Sequence, residues 1–166
     1  MRKKNLPPKN ARLPARQDSE ENRSQAFNYS LKYLSYRARS VKEVYDYLLR
    51  KNFIEDTINS VLKKLIDLKF LDDLEFGRQW IESRQKYKGK SKFILKSELG
   101  MKGLSNDVIE TLLKEARDDF EIARILFDKK KRILGNLLKE EFKKKMGGFL
   151  QRKGFSFEVI KSLLKI

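Results

Sequence analysis

The 166-residue sequence contains no cysteine and no histidine. Without cysteine there is no disulfide framework, no thiolate-held zinc or iron–sulfur cluster, and no thiol nucleophile. Without histidine there is no Ser-His-Asp triad, no HExxH zinc site and no imidazole proton shuttle. Proline is nearly as restricted, since Pro7, Pro8 and Pro14 are the only three. No apolar run approaches the roughly 20 residues that a membrane-spanning helix needs. A GxxxxGK[ST] phosphate loop is missing, as is a GxGxxG turn following a strand. These absences predict a non-catalytic protein with no metal, no cofactor and no membrane association. A cysteine-free chain also fits a reducing, cytoplasmic setting.

Positive charge, by contrast, is abundant. Lys and Arg number 39 against 23 Asp and Glu, a net charge of +16. That excess favours a polyanionic partner or an acidic protein surface. It also makes copies of the chain repel one another, so a monomer is expected. The charge is unevenly placed. Residues 1–24 carry net +4, 25–83 only +1, 84–102 +6, 103–128 −4, 129–153 +8 and 154–166 +1. The first 24 residues hold every proline and lack an apolar segment, so they are neither a secretory signal nor a stable amphipathic helix. They read as a disordered basic arm able to touch a polyanion.

From Gln25 onward, apolar residues recur at helical three- and four-residue spacing. Three segments share a further pattern. Leu48 to Phe53, Leu99 to Leu104 and Leu150 to Phe155 each run from a Leu to a Gly or Asn four residues later, then to a large apolar residue. Successive copies are offset by 51 residues, which indicates a tandem helical array. Asn52, Gly103 and Gly154 stand where a helix must end in a left-handed residue, the conformation that Gly and Asn adopt with least strain. Ser105 and Ser156 are placed as N-caps of the next helix, a role Ile54 cannot fill and which falls to Glu55 or Asp56. Capping boxes are predicted from Ser40 to Glu43 and from Asp72 to Glu75. The helices upstream of the joints span 25–37, 72–87 and 119–132. The fold expected is all-α: an elongated tandem array of three three-helix repeats, over residues 25–71, 72–117 and 118–166, preceded by the basic arm.

Most aromatics, including Trp80, read as core. Tyr29, Tyr33 and Tyr36 share one helix face, as a core edge or a partner surface. Arg37 and Arg39 lie in the turn that follows, able either to cap carbonyls or to meet a partner. One basic block is Arg84, Lys86, Lys88, Lys90, Lys92 and Lys96, whose Lys-x-Lys alternation with Gly89 and Ser91 reads as a mobile loop. The other comprises Lys129, Lys130, Lys131 and Arg132, then Lys139, then Lys143, Lys144 and Lys145, then Arg152 and Lys153. Over residues 129–153 only Glu140 and Glu141 offset ten cations, more than a solvated helix face requires. Such blocks suit phosphates, because each phosphate neutralised releases counterions. They suit acidic side chains equally well. The carboxylate pairs Asp72-Asp73 and Asp118-Asp119 recur 46 residues apart and precede helices, where the dipole favours anions. They are helix starts rather than a Mg²⁺ nuclease site.

Leu34-Ser35-Tyr36-Arg37-Ala38-Arg39-Ser40, with Glu43-Val44 and the Leu48–Phe53 joint, resembles the opening repeat of the RecX regulatory proteins. Phe70-Leu71-Asp72-Asp73 with Phe76, Trp80, Ile81, Ser83 and Arg84 resembles that family as well. Phe149 to Ser156, followed by Val159-Ile160, is similar to its final repeat. Ala38 stands where the family often has Pro, and Asn52 where it often has Gly. The resemblance covers Gln25 to Ile166 and implies tandem three-helix repeats. It further implies a non-enzymatic regulator of the RecA recombinase. Such a regulator binds RecA–DNA filaments along their groove and restrains strand exchange, ATP hydrolysis and co-protease activity. Binding to single- or double-stranded DNA is expected to be weak and non-specific. A direct DNA-binding protein built of helix-turn-helix-like modules is the alternative.

Overall fold

A computed structural model describes residues 17–165. Its helices are α1 (Glu20–Leu34), α2 (Val41–Arg50), α3 (Glu55–Asp67), α4 (Asp73–Ser83), α5 (Lys92–Met101), α6 (Asn106–Glu115), α7 (Asp119–Leu134), α8 (Lys139–Arg152) and α9 (Phe157–Leu164). A π-helical turn, Arg84–Lys88, prolongs α4. The described residues contain no strand. The fold is all-α, three successive three-helix repeats, and the chain divides between Leu71 and Asp72 into two compact units.

The first unit is the first repeat. Its α1 and α2 pack on α3 around Ala26, Val44, Leu48, Phe53, Ile58, Val61, Leu65 and Leu71. Burying a side chain the size of Phe53 contributes about 1.5–3 kcal/mol. Ser40 opens α2 with both halves of a capping box in place. Residues 20–24 of the expected arm are helical. Its residues 1–16 lie outside the described residues, but α1 already begins at Glu20, five residues ahead of Gln25. Ser19 caps it, accepting from the Asn22 amide. Asp18 pairs with Arg23 and accepts 2.8 Å from the hydroxyl of buried Thr57, which ties this segment to α3. α1 stops at Leu34, so Tyr36 falls in the following turn, 72% exposed, and leaves the Tyr29–Tyr33 face.

The second unit holds the other two repeats, each on its own core. Phe76, Ile81, Leu95, Leu99, Leu104, Ile109 and Leu112 form one. Ile122, Ala123, Met146, Leu150, Phe155 and Ile160 form the other. The three joints take the left-handed backbone, with φ of 62° at Asn52, 84° at Gly103 and 88° at Gly154. In each, the following residue's amide reaches back to the helix, as Phe53, Leu104 and Phe155 donate to the carbonyls of Leu48, Leu99 and Leu150. Ser105 and Ser156 cap α6 and α9. Neither Glu55 nor Asp56 caps α3. The cap position is Ile54, with no side-chain bond, and Glu55 instead accepts from the Tyr45 hydroxyl. Asp72 caps α4 through the amides of Leu74 and Glu75, while the Glu75 carboxylate turns to Gln79 and Arg78.

Candidate polyanion-binding seam

Where the sequence suggests a mobile loop, the chain is built. After Ser83 the α4 backbone widens into the π-turn, which ends at Gly89 with φ 56°. A side chain there would collide with Leu126 of α7, whose Cδ1 lies 2.5 Å from the place a Cβ would take. The turn buries Gln85. Its Nε2 donates 3.1 Å to the Arg117 carbonyl, and its Oε1 accepts 3.3 Å from the Arg117 amide. The side-chain amide therefore satisfies both backbone groups of a residue in the connection between α6 and α7. Arg84 turns inward, donating 2.8 Å to Glu98 and lying 4.2 Å over the Trp80 ring. Trp80 is half-buried at the edge of its core and donates 2.9 Å to the same carboxylate.

Residues 89–92 then dock onto the third repeat. The Ser91 amide donates 3.1 Å to the Lys153 carbonyl. The Lys92 amide donates 2.8 Å to Asp119 Oδ1. Burial pushes the Asp119 carboxyl above its ordinary value, and the Lys92 amide and charge only partly oppose that. Lys153 Nζ donates 2.6 Å to the Lys88 carbonyl. Gly154 makes the approach possible. A Cβ on it would stand 2.4 Å from Ser91 Oγ and 2.5 Å from Ile94 Cγ1.

Two cationic blocks remote in sequence thus meet. Partial burial, reinforced by repulsion from Lys90 and Lys88, holds the Lys153 ammonium below the usual lysine range. Beyond Lys153, the charge continues across Phe149. Lys153 and Lys130 lie 5.8 and 5.5 Å from its ring centroid. Phe149 also lines an open cleft of about 470 Å³ with Lys130, Leu134, Glu141, Lys144, Lys145 and Arg152. Glu141 pairs with Lys145 at 2.8 Å and Glu140 with Lys143 at 3.4 Å, so the two acidic residues are already engaged.

The structure therefore gathers Lys88, Lys90, Lys130, Lys144, Lys145, Arg152 and Lys153 into one cationic seam. Lys86 stands beside it on the π-turn, exposed, 5.3 Å from the Tyr87 ring centroid. Lys96, Lys129, Lys131 and Arg132 are exposed on α5 and α7. Lys92 serves through its backbone and Arg84 faces Glu98. In the first unit, Arg37 forks onto Glu43 at 2.9 and 3.2 Å and donates to the Ala38 carbonyl. The Arg39 guanidinium lies over Tyr33, 3.9 Å from the ring centroid, and Tyr33 in turn stacks on Tyr47 at 4.2 Å. Sequence reasoning missed Gln85, Tyr87 and Phe149. Gly89 within a lysine run is the one local signal of a forced backbone there.

Among the described residues, no cluster of three or more Asp and Glu could hold a metal ion. Nor is any helix among them long and apolar enough to cross a membrane. The arrangement offers cations on a fixed frame rather than a proton-transfer pair.

Comparison with known proteins agrees repeat by repeat. Family descriptions of the first, second and third three-helix domains of RecX match residues 26–65, 72–113 and 117–164. A regulatory protein RecX of Mycobacterium sp. strain KMS is 33% identical over 151 residues, spanning 84% of this chain and 80% of that protein. This chain belongs to the RecX family. A RecX of Bacillus pumilus is 37% identical over 141 residues, 84% of this chain but 54% of its own length. The chain thus spans about half the length of such Bacillus relatives. The crystal structure of RecX from Lactobacillus salivarius superposes with a TM-score of 0.78 at 27% identity, over 89% of this chain and 97% of that one. The RecX relatives are named regulatory proteins.

Proposed function

We propose that this protein binds RecA–DNA filaments and inhibits their recombinase, ATPase and co-protease activities in DNA repair and recombination. It does so as a cytoplasmic monomer and without catalysing a reaction of its own. The observation that supports this reading is the convergence of both basic blocks on one seam. Seven cations on a fixed frame give a multi-point grip, and each phosphate they neutralise releases counterions. A groove-occupying inhibitor needs such a grip and no catalytic side chain.

The alternative, sequence-reading helix-turn-helix modules, fits less well. A recognition helix meets base edges with its N-terminal residues. Here the third helix of each repeat begins with acid: Glu55 and Asp56 in α3, Asp107 in α6, Glu158 in α9. Those carboxylates would face the phosphates and bases of a duplex.

Co-sedimentation with RecA on single-stranded DNA plus nucleotide, against a DNA-only control, tests the proposal. The protein is expected to pellet with the filament at concentrations that leave it soluble with DNA alone. Equal pelleting in both would refute it. Replacing Lys143, Lys144 and Lys145 with Glu is expected to weaken filament binding while circular dichroism stays unchanged.

A further inference from the structure

Tyr87 is the residue of the seam that charge alone does not explain. Its side chain is 71% exposed, although it sits on a π-turn that is held firmly at both ends. Gln85 anchors one end through its two bonds to the Arg117 backbone. Gly89, set against Leu126, and the Lys153 bond to the Lys88 carbonyl anchor the other. An exposed aromatic on a tip would be averaged by motion, but this one has a fixed perch.

Both residues that flank it in the chain are lysines. Lys86 reaches toward its ring, Lys88 and Lys90 follow, and Lys153 closes on Lys88 from the third repeat. Among the described residues, none of Lys86, Lys88 and Lys90 forms an ion pair. An aromatic face among backbone-tracking cations is the arrangement with which proteins hold unpaired nucleotides, bases stacking on the ring and phosphates on the lysines. An acidic peptide would answer the lysines and leave the ring without a matching face. A duplex would answer the lysines too, but it keeps its base faces stacked inside.

We propose that Tyr87 is a stacking platform for an unpaired nucleobase, and that the π-turn with Lys86, Lys88, Lys90 and Lys153 forms a single-stranded nucleic acid site. The proposal rests on the reading that the seam meets a polyanion, and names which one.

The test uses the full chain without RecA. Fluorescence anisotropy follows its binding to oligo(dT), oligo(rU), an abasic strand of equal length and a duplex, over a salt series. Tyr87→Ala is expected to lose about tenfold in affinity for oligo(dT) and oligo(rU) alike, since a ring face does not read the sugar. Its affinity for the abasic strand and the duplex is expected to stay at the wild-type level, with the salt slope unchanged. Tyr87→Phe retains wild-type binding. Lys88→Gln lowers the salt slope by roughly one on every ligand. The site is refuted if the wild type binds no free single strand, if Tyr87→Ala matches it on oligo(dT), or if the abasic strand loses equally. A Tyr87→Ala defect confined to RecA filaments would also refute it, by assigning the ring to a protein surface. Filament binding by the wild type, measured separately, decides the regulatory reading by itself.

Discussion

Gly154→Ala is the most informative substitution in this molecule. At Asn52, Gly103 and Gly154 the same joint takes the same left-handed backbone. At Gly154 another repeat also sits on the spot a side chain would need, with Ser91 Oγ at 2.4 Å and Ile94 Cγ1 at 2.5 Å. Two costs should therefore add. A non-glycine residue in the left-handed region costs roughly 1–2 kcal/mol. Forcing a methyl into an occupied contact costs typically about 1–3 kcal/mol more. The sum is about 2–5 kcal/mol, a large share of a small domain's stability. Asn52→Ala is the internal control, with a backbone cost of at most about 2 kcal/mol. Urea unfolding followed by circular dichroism measures both. If Gly154→Ala costs no more than Asn52→Ala, the seam is not packed as described. The folded fraction should also grip polyanions more weakly, because separating the repeats pulls Lys153 from Lys88.

Three other outcomes are expected. Gln85→Ala leaves the Arg117 amide and carbonyl without their partners and should destabilise the second unit by about 1–3 kcal/mol in the same assay. Asp18 has its carboxyl lowered by the Arg23 and Thr57 hydrogen bonds. The stability it lends is thus present above the ordinary aspartate value of 3.8 and is lost as pH falls through its folded value. Asp18→Asn should flatten the acid limb of an unfolding-versus-pH curve, and an unchanged limb would refute that linkage. Lys153 is lowered from 10.5, so it sheds its charge before an ordinary lysine does. Polyanion affinity should start to fall at correspondingly lower pH, and Lys153→Arg, which stays charged, should remove that early decline in an anisotropy titration.

How far the sequence could be read depends on how local the cause was. The joints were legible because a helix end needs a left-handed residue, a demand that Asn52, Gly103 and Gly154 answer on the spot. The caps at Ser40, Ser105 and Ser156 were legible for the same reason, since their partners lie three residues away. The order of the 84–96 segment is not legible in the sequence, because what imposes it lies far along the chain. Leu126, Arg117, Asp119 and Lys153 hold it, and no spacing rule links them to a lysine run. Both basic blocks were visible as composition, but their meeting is a tertiary event. Arg37 and Arg84 show the converse limit. As letters they resemble the lysines of the seam, yet their planar guanidiniums are engaged by Glu43 and Glu98 of the same fold.

The clamp from Gln85 to Arg117 has a geometric consequence. Because it holds the π-turn to the connection that leads into the third repeat, and the Ser91–Lys153 contact joins the second repeat to the third, the backbone separation between Lys88 and Lys144 is set by the fold before any partner arrives. On the proposed reading the second unit would act as a calliper, rewarding a ligand whose negative charges recur at the matching interval over one with the same charges at another pitch. Selectivity of this kind needs no base-specific hydrogen bond, and it would be lost by a variant that keeps every lysine but loosens the hinge between the jaws.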